Sequence, residues 1–172
     1  MDIIKQLTLD RQEIEDWTFR GVNTQEHIHC IHPYPARMIP QIARRLIKRY
    51  SKPNDIVLDP FCGSGSVLAE AKVLGRRSIG IDINPLAVLI AKVKATPIDP
   101  SKLELYLSWI KERLGEEINP NIPKFFNLEY WFKEKTIKEL SILKTTLSQI
   151  EEKDVRDFFY EEISFTYAFL RR

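Results

Sequence analysis

A glycine-containing run and a distant acid form the first candidate site in the sequence. Residues 59–65 are DPFCGSG, and Asp82 follows Asp59 by 23 residues. Asp59 and Asp82 each end a short apolar segment, residues 55–59 and 78–82 respectively. Such segments are typical of buried parallel strands. A glycine turn at a strand end lets the backbone approach a ligand closely, and an acid ending the next strand can accept hydrogen bonds from ribose hydroxyls.

Two familiar phosphate sites are disfavoured by the same residues. A dinucleotide site needs a third glycine at the position that Leu68 occupies, counted from Gly63. A P-loop needs Gly-Lys followed by Ser or Thr, and the sequence does not contain that string. The pattern therefore favours a nucleoside-containing ligand without a pyrophosphate.

The elements that must position this site alternate between strand and helix. Residues 66–74 predict a helix closed by Gly75, and Asn84 with Pro85 predicts the start of another over residues 86–94. An amphipathic helix over residues 39–50 precedes them, and its polar side carries four candidates for nucleic acid phosphates: Arg44, Arg45, Lys48 and Arg49. Strand, helix, strand and helix in this order predict a parallel sheet.

The second half of the chain predicts helices. Asp99 and Pro100 start one, and apolar residues spaced as on a helix face mark two more, the last over residues 155–170, with Ile98 at most the remnant of a third strand. We predict three regions: an N-terminal leader (1–30) that packs on another part, a βαβα core (31–98) and a helical segment (99–172). The aromatic last helix, which carries Phe165, Tyr167 and Phe169 and ends at Arg171 and Arg172, is either a contact surface or an ordinary core helix.

Composition and charge bound the class of protein. With 172 residues, 44% hydrophobic and 29% charged, the chain has the composition of a globular protein, and no apolar run is long enough to cross a bilayer. Its first ten residues are acidic where a signal peptide would be basic, so we expect a soluble, cytoplasmic protein. Residues 31–98 hold eleven Lys and Arg against four acids, which indicates either contact with a polyanion or a solvated helix face.

Three segments resemble a known enzyme family. Residues 57–65 (VLDPFCGSG) resemble motif I of the S-adenosylmethionine-dependent amino-methyltransferases that modify DNA at adenine N6 or cytosine N4. Residues 80–85 (GIDINP) resemble their motif II, and His32-Pro33 followed by a helix resembles motif X. The resemblance implies an α/β fold, a partial Rossmann-like methyltransferase sheet of two to three parallel strands with a helical C-terminal half, and a site-specific DNA methyltransferase of restriction–modification type.

The resemblance also implies a cofactor site for S-adenosyl-L-methionine. The loop after the first strand would surround the methionine part, Asp82 would bind the ribose hydroxyls with Ile83 against the adenine, and His32 and Pro33 would close the methionine end. The implied cofactor-binding residues are His32, Pro33, Asp59, Pro60, Phe61, Cys62, Gly63, Ser64, Gly65, Asp82, Ile83 and Asn84.

One motif of that family is missing. Its catalytic motif IV is Asp, Ser or Asn followed by Pro-Pro and an aromatic residue, whereas no two of the ten prolines here are adjacent. A strand as apolar as residues 56–58 is also expected to be paired on both sides, and the sequence offers it one confident neighbour. We therefore predict no catalytic residue in this chain, and expect the motif from a missing C-terminal part or a second subunit, with DNA as substrate.

Other interpretations remain open from the sequence. An RNA methyltransferase could use the same loop, and a non-catalytic cofactor-binding or assembly subunit would also carry it. Zinc ligation by His27, His29, Cys30 and His32 is disfavoured by their tight spacing. A nucleophilic Cys62 is disfavoured because a small loop residue is expected at that position.

Overall fold

A computed structural model describes residues 16–35 and 37–169, with side chains as far as Ser164 in the last helix. A 3-10 turn at His27–Cys30 precedes the elements α1 (Pro40–Tyr50), β1 (Ile56–Asp59), α2 (Ser66–Val73), β2 (Arg77–Gly80) and α3 (Pro85–Ala95). The helical half then comprises α4 (Pro100–Arg113), α5 (Leu128–Trp131), α6 (Glu134–Leu147) and α7 (Lys153–Phe169). The α/β fold class is confirmed, and the short α5 was not predicted.

The two strands form a parallel pair in which Ile56 lies opposite Arg77 and Asp59 lies opposite Gly80. The predicted second strand is too long at its end, because regular pairing stops at Gly80. Ile81 instead donates its N–H to the Asp59 carbonyl (2.9 Å) and accepts from the Cys62 N–H (2.9 Å), so the strand gives way to loop contacts. In the described part of the chain Ile98 belongs to no strand; it lies between α3 and α4.

The sheet packs on one face only. Val57 contacts the core beside α1 and α2, whereas Ile56, Leu58 and Ile79 on the other face are each more than half exposed. The expectation of a strand buried on both faces is therefore wrong for the described residues, because none of them covers the second face. The apolar side chains that predicted burial on both faces are present, but no described element packs over the second face.

One helix in each half begins at a side-chain cap. The Asn84 side-chain oxygen accepts from the Leu86 N–H (3.0 Å) at the start of α3, as predicted, and Asp99 accepts from the Ser101 N–H (2.9 Å) at the start of α4. The helical half encloses its own apolar core: Ile110, Leu140, Leu147, Ile150, Val155 and Ile163. No helix in the described ranges is long and apolar enough to cross a membrane.

Part of the predicted leader packs on the βαβα core. Arg45 of α1 lies over the rings of Trp17 and Phe19, and the buried His29 places Nε2 3.0 Å from a carboxylate oxygen of Glu70 in α2. The first fifteen residues of the leader lie outside the described residues, as do Arg171, Arg172 and the side chains of Phe165, Tyr167 and Phe169. Earlier in α7, Val155 and Ile163 are buried, so that stretch is a core helix.

Candidate functional site

The conformation of the loop after β1 depends on two glycines and on a hydrogen bond within its backbone. Gly63 and Gly65 adopt positive φ angles of 48° and 77°, which L-residues rarely adopt, and the Gly65 N–H donates to the Cys62 carbonyl (2.8 Å). A Cβ on Gly65 would lie 2.6 Å from Cα of Ala91 in α3. The loop is therefore held against α3 at a distance that only glycine permits.

Asp82 joins the two strand ends. One of its carboxylate oxygens accepts from the Gly63 N–H (2.9 Å) and the other from the Asn84 N–H (2.8 Å). Each carboxylate oxygen keeps further acceptor capacity, because a carboxylate has about four lone-pair sites. Asp82 can therefore hold the glycine loop and still accept hydrogen bonds from a ligand's hydroxyl groups.

Tyr34 closes the other side of the glycine loop, and the sequence interpretation missed it. Its ring would lie 3.6 Å from a Cβ on Gly63, and its hydroxyl accepts from the Asn84 side-chain amide at 3.4 Å. Asn84 thus caps α3 with its oxygen and contacts Tyr34 with its nitrogen. The sequence feature that could have identified Tyr34 is its position as an aromatic residue between two prolines.

A cavity of about 570 Å³ opens between α1 and this loop, within the size range of small-molecule sites. Ser64 and Ser66 are among its lining residues; both serines are buried, and neither hydroxyl has a hydrogen-bond partner within the described chain. Buried polar atoms are normally satisfied, so these two point to a polar ligand. Besides the serines, the walls include Tyr34, Arg37, Ile39, Asp59, Phe61 and Gly63.

The predicted site residues fall into two groups. Asp59, Phe61, Cys62, Gly63 and Ser64 line the cavity, with Gly65 directly behind them and Asp82 and Asn84 beside the loop. Pro60 is exposed, and Ile83 is fully exposed at the same edge. His32 and Pro33 are not among the lining residues: Pro33 is exposed, and His32 is buried against Glu161 of α7, with 3.0 Å between Nδ1 and Oε1.

The alternative chemistries receive no support from the local geometry. Burial, and then the nearby Asp59 and Asp82, raise the pKa of the Cys62 thiol, which opposes a thiolate nucleophile. His29 and His32 each lie against a glutamate on a different helix. Across the described residues, no group of three or more His, Cys, Asp and Glu side chains could hold a metal ion.

Several of the positively charged side chains between residues 31 and 98 contact acids or aromatic rings of this chain. Arg44 pairs with Glu70 (2.7 Å) and Glu26 (2.6 Å), Arg45 stacks on Trp17 and Phe19, and Lys92 pairs with two acids of α7, Asp154 and Asp157. The exposed Lys48 lies six residues along α1 from Ile42, which lines the cavity, or about 9 Å at 1.5 Å per residue. The charge excess is therefore weak support for DNA contacts at the cavity itself.

Comparison with known proteins points to one family. Residues 3–93 match the N6/N4 methyltransferase model, described as DNA methylase. The chain is 39% identical over 160 residues to the type II methyltransferase M.MvaI of Kocuria varians, covering 86% of this chain and 35% of that protein. Against the type II methyltransferase M.MjaII of Methanocaldococcus jannaschii, identity is 38% over 124 residues, covering 61% of this chain and 23% of that protein.

A shorter match concerns an RNA-modifying protein. Identity is 39% over 71 residues to the tRNA (guanine(10)-N2)-dimethyltransferase of Methanothermobacter thermautotrophicus, covering 37% of this chain and 21% of that protein. The chain thus spans about a third or less of the length of these relatives. No solved structure matches it.

Proposed function

The chain belongs to the N6/N4 DNA methylase family, and from this premise we propose that it forms the cofactor-binding part of a DNA methyltransferase acting on an exocyclic amino group, cytosine N4 or adenine N6. The observation that carries the proposal is the cavity at the carboxyl end of β1, in whose wall Gly63 is hydrogen-bonded to Asp82, the acid that follows β2. Ligands of open α/β sheets bind at such strand ends.

The residues around the cavity fit S-adenosyl-L-methionine by their chemistry. Asp82 would accept from the ribose hydroxyls, and the exposed Ile83 would cover the adenine ring. The unpartnered hydroxyls of Ser64 and Ser66 suit the charged amino-acid end, and Arg37 adds positive charge at the cavity wall while its guanidinium donates to the His29 and Thr24 carbonyls. The cofactor would supply a methyl group on a sulfonium, which passes directly to the amino nitrogen of a base held in line with it.

We propose that the catalytic Pro-Pro motif comes from a further part of the protein or from a partner subunit. The sequence has no two adjacent prolines. The uncovered apolar face of the sheet at Ile56, Leu58 and Ile79 supports the proposal, because such a face is normally covered by another layer. The covering segment would bring the target base pocket next to the cofactor.

Calorimetry with S-adenosylhomocysteine tests the cofactor site. Asp82→Ala should weaken binding about 100-fold, because hydrogen bonds to a charged acceptor contribute roughly 1.5–3 kcal/mol each and the loop loses its anchor. Asp99→Ala is the matched control, since it also removes an acid that caps a loop beside a helix start, but in the helical half. Absence of binding by the unaltered chain, or equal binding by Asp82→Ala, would refute the cofactor assignment.

An RNA substrate is the second candidate, favoured by the match to the tRNA dimethyltransferase. Radiolabelled methyl transfer from S-adenosylmethionine, measured with the longer protein or the reconstituted complex, separates the two substrates. We expect label in duplex DNA and none in total tRNA. Label in tRNA alone would favour the second candidate, and label in neither would favour a non-catalytic assembly subunit.

A further inference from the structure

A buried cluster of ionisable side chains connects three parts of the molecule. His32 precedes α1, Lys94 lies in α3 and Glu161 lies in α7, and all three are at least nine-tenths buried. Nδ1 of His32 is 3.0 Å from a carboxylate oxygen of Glu161. Nζ of Lys94 and both carboxylate oxygens of Glu161 have no hydrogen-bond partner within the described chain, so the contact of Glu161 with His32 is a close approach of two polar groups rather than a hydrogen bond.

The cluster leads directly to the wall of the cofactor cavity. Tyr34 lies two residues after His32 and lines the cavity. Asn84, which contacts the Tyr34 hydroxyl, starts the helix that carries Lys94. The position of the Tyr34 segment relative to α3 therefore depends on the residues that pack against His32. Glu161 is the acidic residue among them.

Burying these three ionisable side chains lowers the stability of the fold if they serve only to pack the helices together. Buried charges destabilise a fold unless they are fully paired, and neutral side chains of similar volume would fill the same space. Packing of α7 on α3 already has a satisfied polar contact, where Lys92 pairs with Asp154 and Asp157 at 2.7 and 2.6 Å. Glu161 is the buried acid on that helix face with a histidine of the cavity segment as its neighbour.

We propose that Glu161 is a positioning residue for the cofactor site: through His32 it fixes the segment that places Tyr34 against the glycine loop. The proposal rests on the function proposed above and adds the last helix to the determinants of cofactor affinity. Glu161 is not among the residues that line the cavity, so it would act through its neighbours, of which His32 leads into the segment that carries Tyr34.

The proposal predicts a dependence on pH. Burial, and then the nearby Glu162, raise the pKa of Glu161 to about 7, with Lys94 opposing. Burial, and then Arg37, lower the pKa of Lys94 to about 8, with Glu161 and Cys30 opposing; burial and Lys94 also lower the pKa of His32. Between pH 6 and 8.5 the cluster therefore changes charge, and Glu161 loses its negative charge as the pH falls.

Calorimetric titration of the full chain with S-adenosylhomocysteine at pH 6.0, 7.0 and 8.5 provides the test. At pH 8.5 we expect Glu161→Gln and His32→Asn each to weaken binding about 10-fold, because each change removes one member of the 3.0 Å contact. The double variant should bind no more weakly than the weaker single variant. Glu161→Gln should also bind with a flatter pH profile than the unaltered chain, a change that a purely structural role would not cause.

The controls separate this proposal from the one on which it rests. Asp154→Asn changes an exposed acid of the same helix and should bind the ligand normally. If the unaltered chain does not bind, the proposed function fails and this inference fails with it. If the unaltered chain binds and Glu161→Gln matches its affinity and pH profile, or the single losses add in the double variant, only this inference fails. Should Glu161→Gln not fold, His32→Asn decides by the same criteria.

Discussion

The two halves of this chain differ in how completely they bury their apolar residues. The helical half encloses six buried residues from four segments in one continuous core. The βαβα half, which is the proposed cofactor half, has two small clusters in which three of the six buried residues are alanine, and it leaves one face of its sheet exposed. Among the described residues, the half with the proposed chemistry is thus the half that lacks a covering layer, and this contrast supports the proposal that a further part covers the sheet.

Removing a side chain from the closed core should have the largest effect. Leu147 is 1% exposed, and Leu147→Ala should lower the free energy of unfolding by about 4 kcal/mol, because it leaves a cavity in a packed interior. Urea unfolding followed by circular dichroism measures this loss. A loss under about 1 kcal/mol would mean that the helical half is loosely packed and that the contrast between the halves is false.

Two buried glutamates should respond to pH in opposite ways. Burial alone would raise the pKa of Glu70, but hydrogen bonds from His29 and Arg44 bring it to about 2. Its ionised form therefore stabilises the fold by about 3 kcal/mol above pH 4.5, and this contribution is lost as the pH falls toward 2. Glu70→Gln should be destabilised at pH 7, and its difference from the unaltered chain should shrink below pH 4.5.

Glu161 provides the opposite case. Because its pKa is raised to about 7, its ionised form costs stability, and the free energy of unfolding should fall as the pH rises from 4.5 to 7. Glu161→Gln should therefore be at least as stable as the unaltered chain at pH 8. Equilibrium unfolding at pH 3, 5 and 8 measures both variants, and parallel pH dependences would contradict the assignment.

Two glycines in the cofactor half allow a matched comparison of packing with backbone strain. Gly65→Ala should lower the free energy of unfolding by about 3 kcal/mol, because it adds a clash with Ala91 to the strain of its positive φ. Gly75 has a similar φ of 73° but no atom within 4 Å of an added Cβ, so Gly75→Ala should cost only about 1 kcal/mol. Equal losses in thermal unfolding would show that α3 does not press on the loop.

The exposed sheet face should give the smallest effect. Leu58 is 59% exposed, so Leu58→Ser should change the free energy of unfolding of this chain by less than about 1 kcal/mol. Chemical denaturation of Leu58→Ser and Leu147→Ala under the same conditions compares their free energies of unfolding directly. A loss as large as that of Leu147→Ala would mean that the face is covered in solution.

The sequence predicted the parts of this molecule that depend on local residues. The parallel pair, the cap at Asn84 and the glycine-ended α2 follow from spacing and from backbone preferences. The contacts of His32 with Glu161 and of Tyr34 with Asn84 join residues 129 and 50 positions apart, and no local pattern encodes them. Burial of Ile56 and Leu58 was wrongly expected because apolar character predicts that a face is covered, but not by which residues.

The hydrogen bond between the Gly63 N–H and Asp82 has a kinetic consequence. Both of its groups belong to the chain itself, so we expect the ordering entropy of the loop to be lost when the chain folds rather than on ligand binding. Association should then follow a single exponential with a rate linear in ligand concentration, without a slow phase from loop rearrangement. A slow phase in the binding kinetics would show instead that the loop rearranges when the ligand binds.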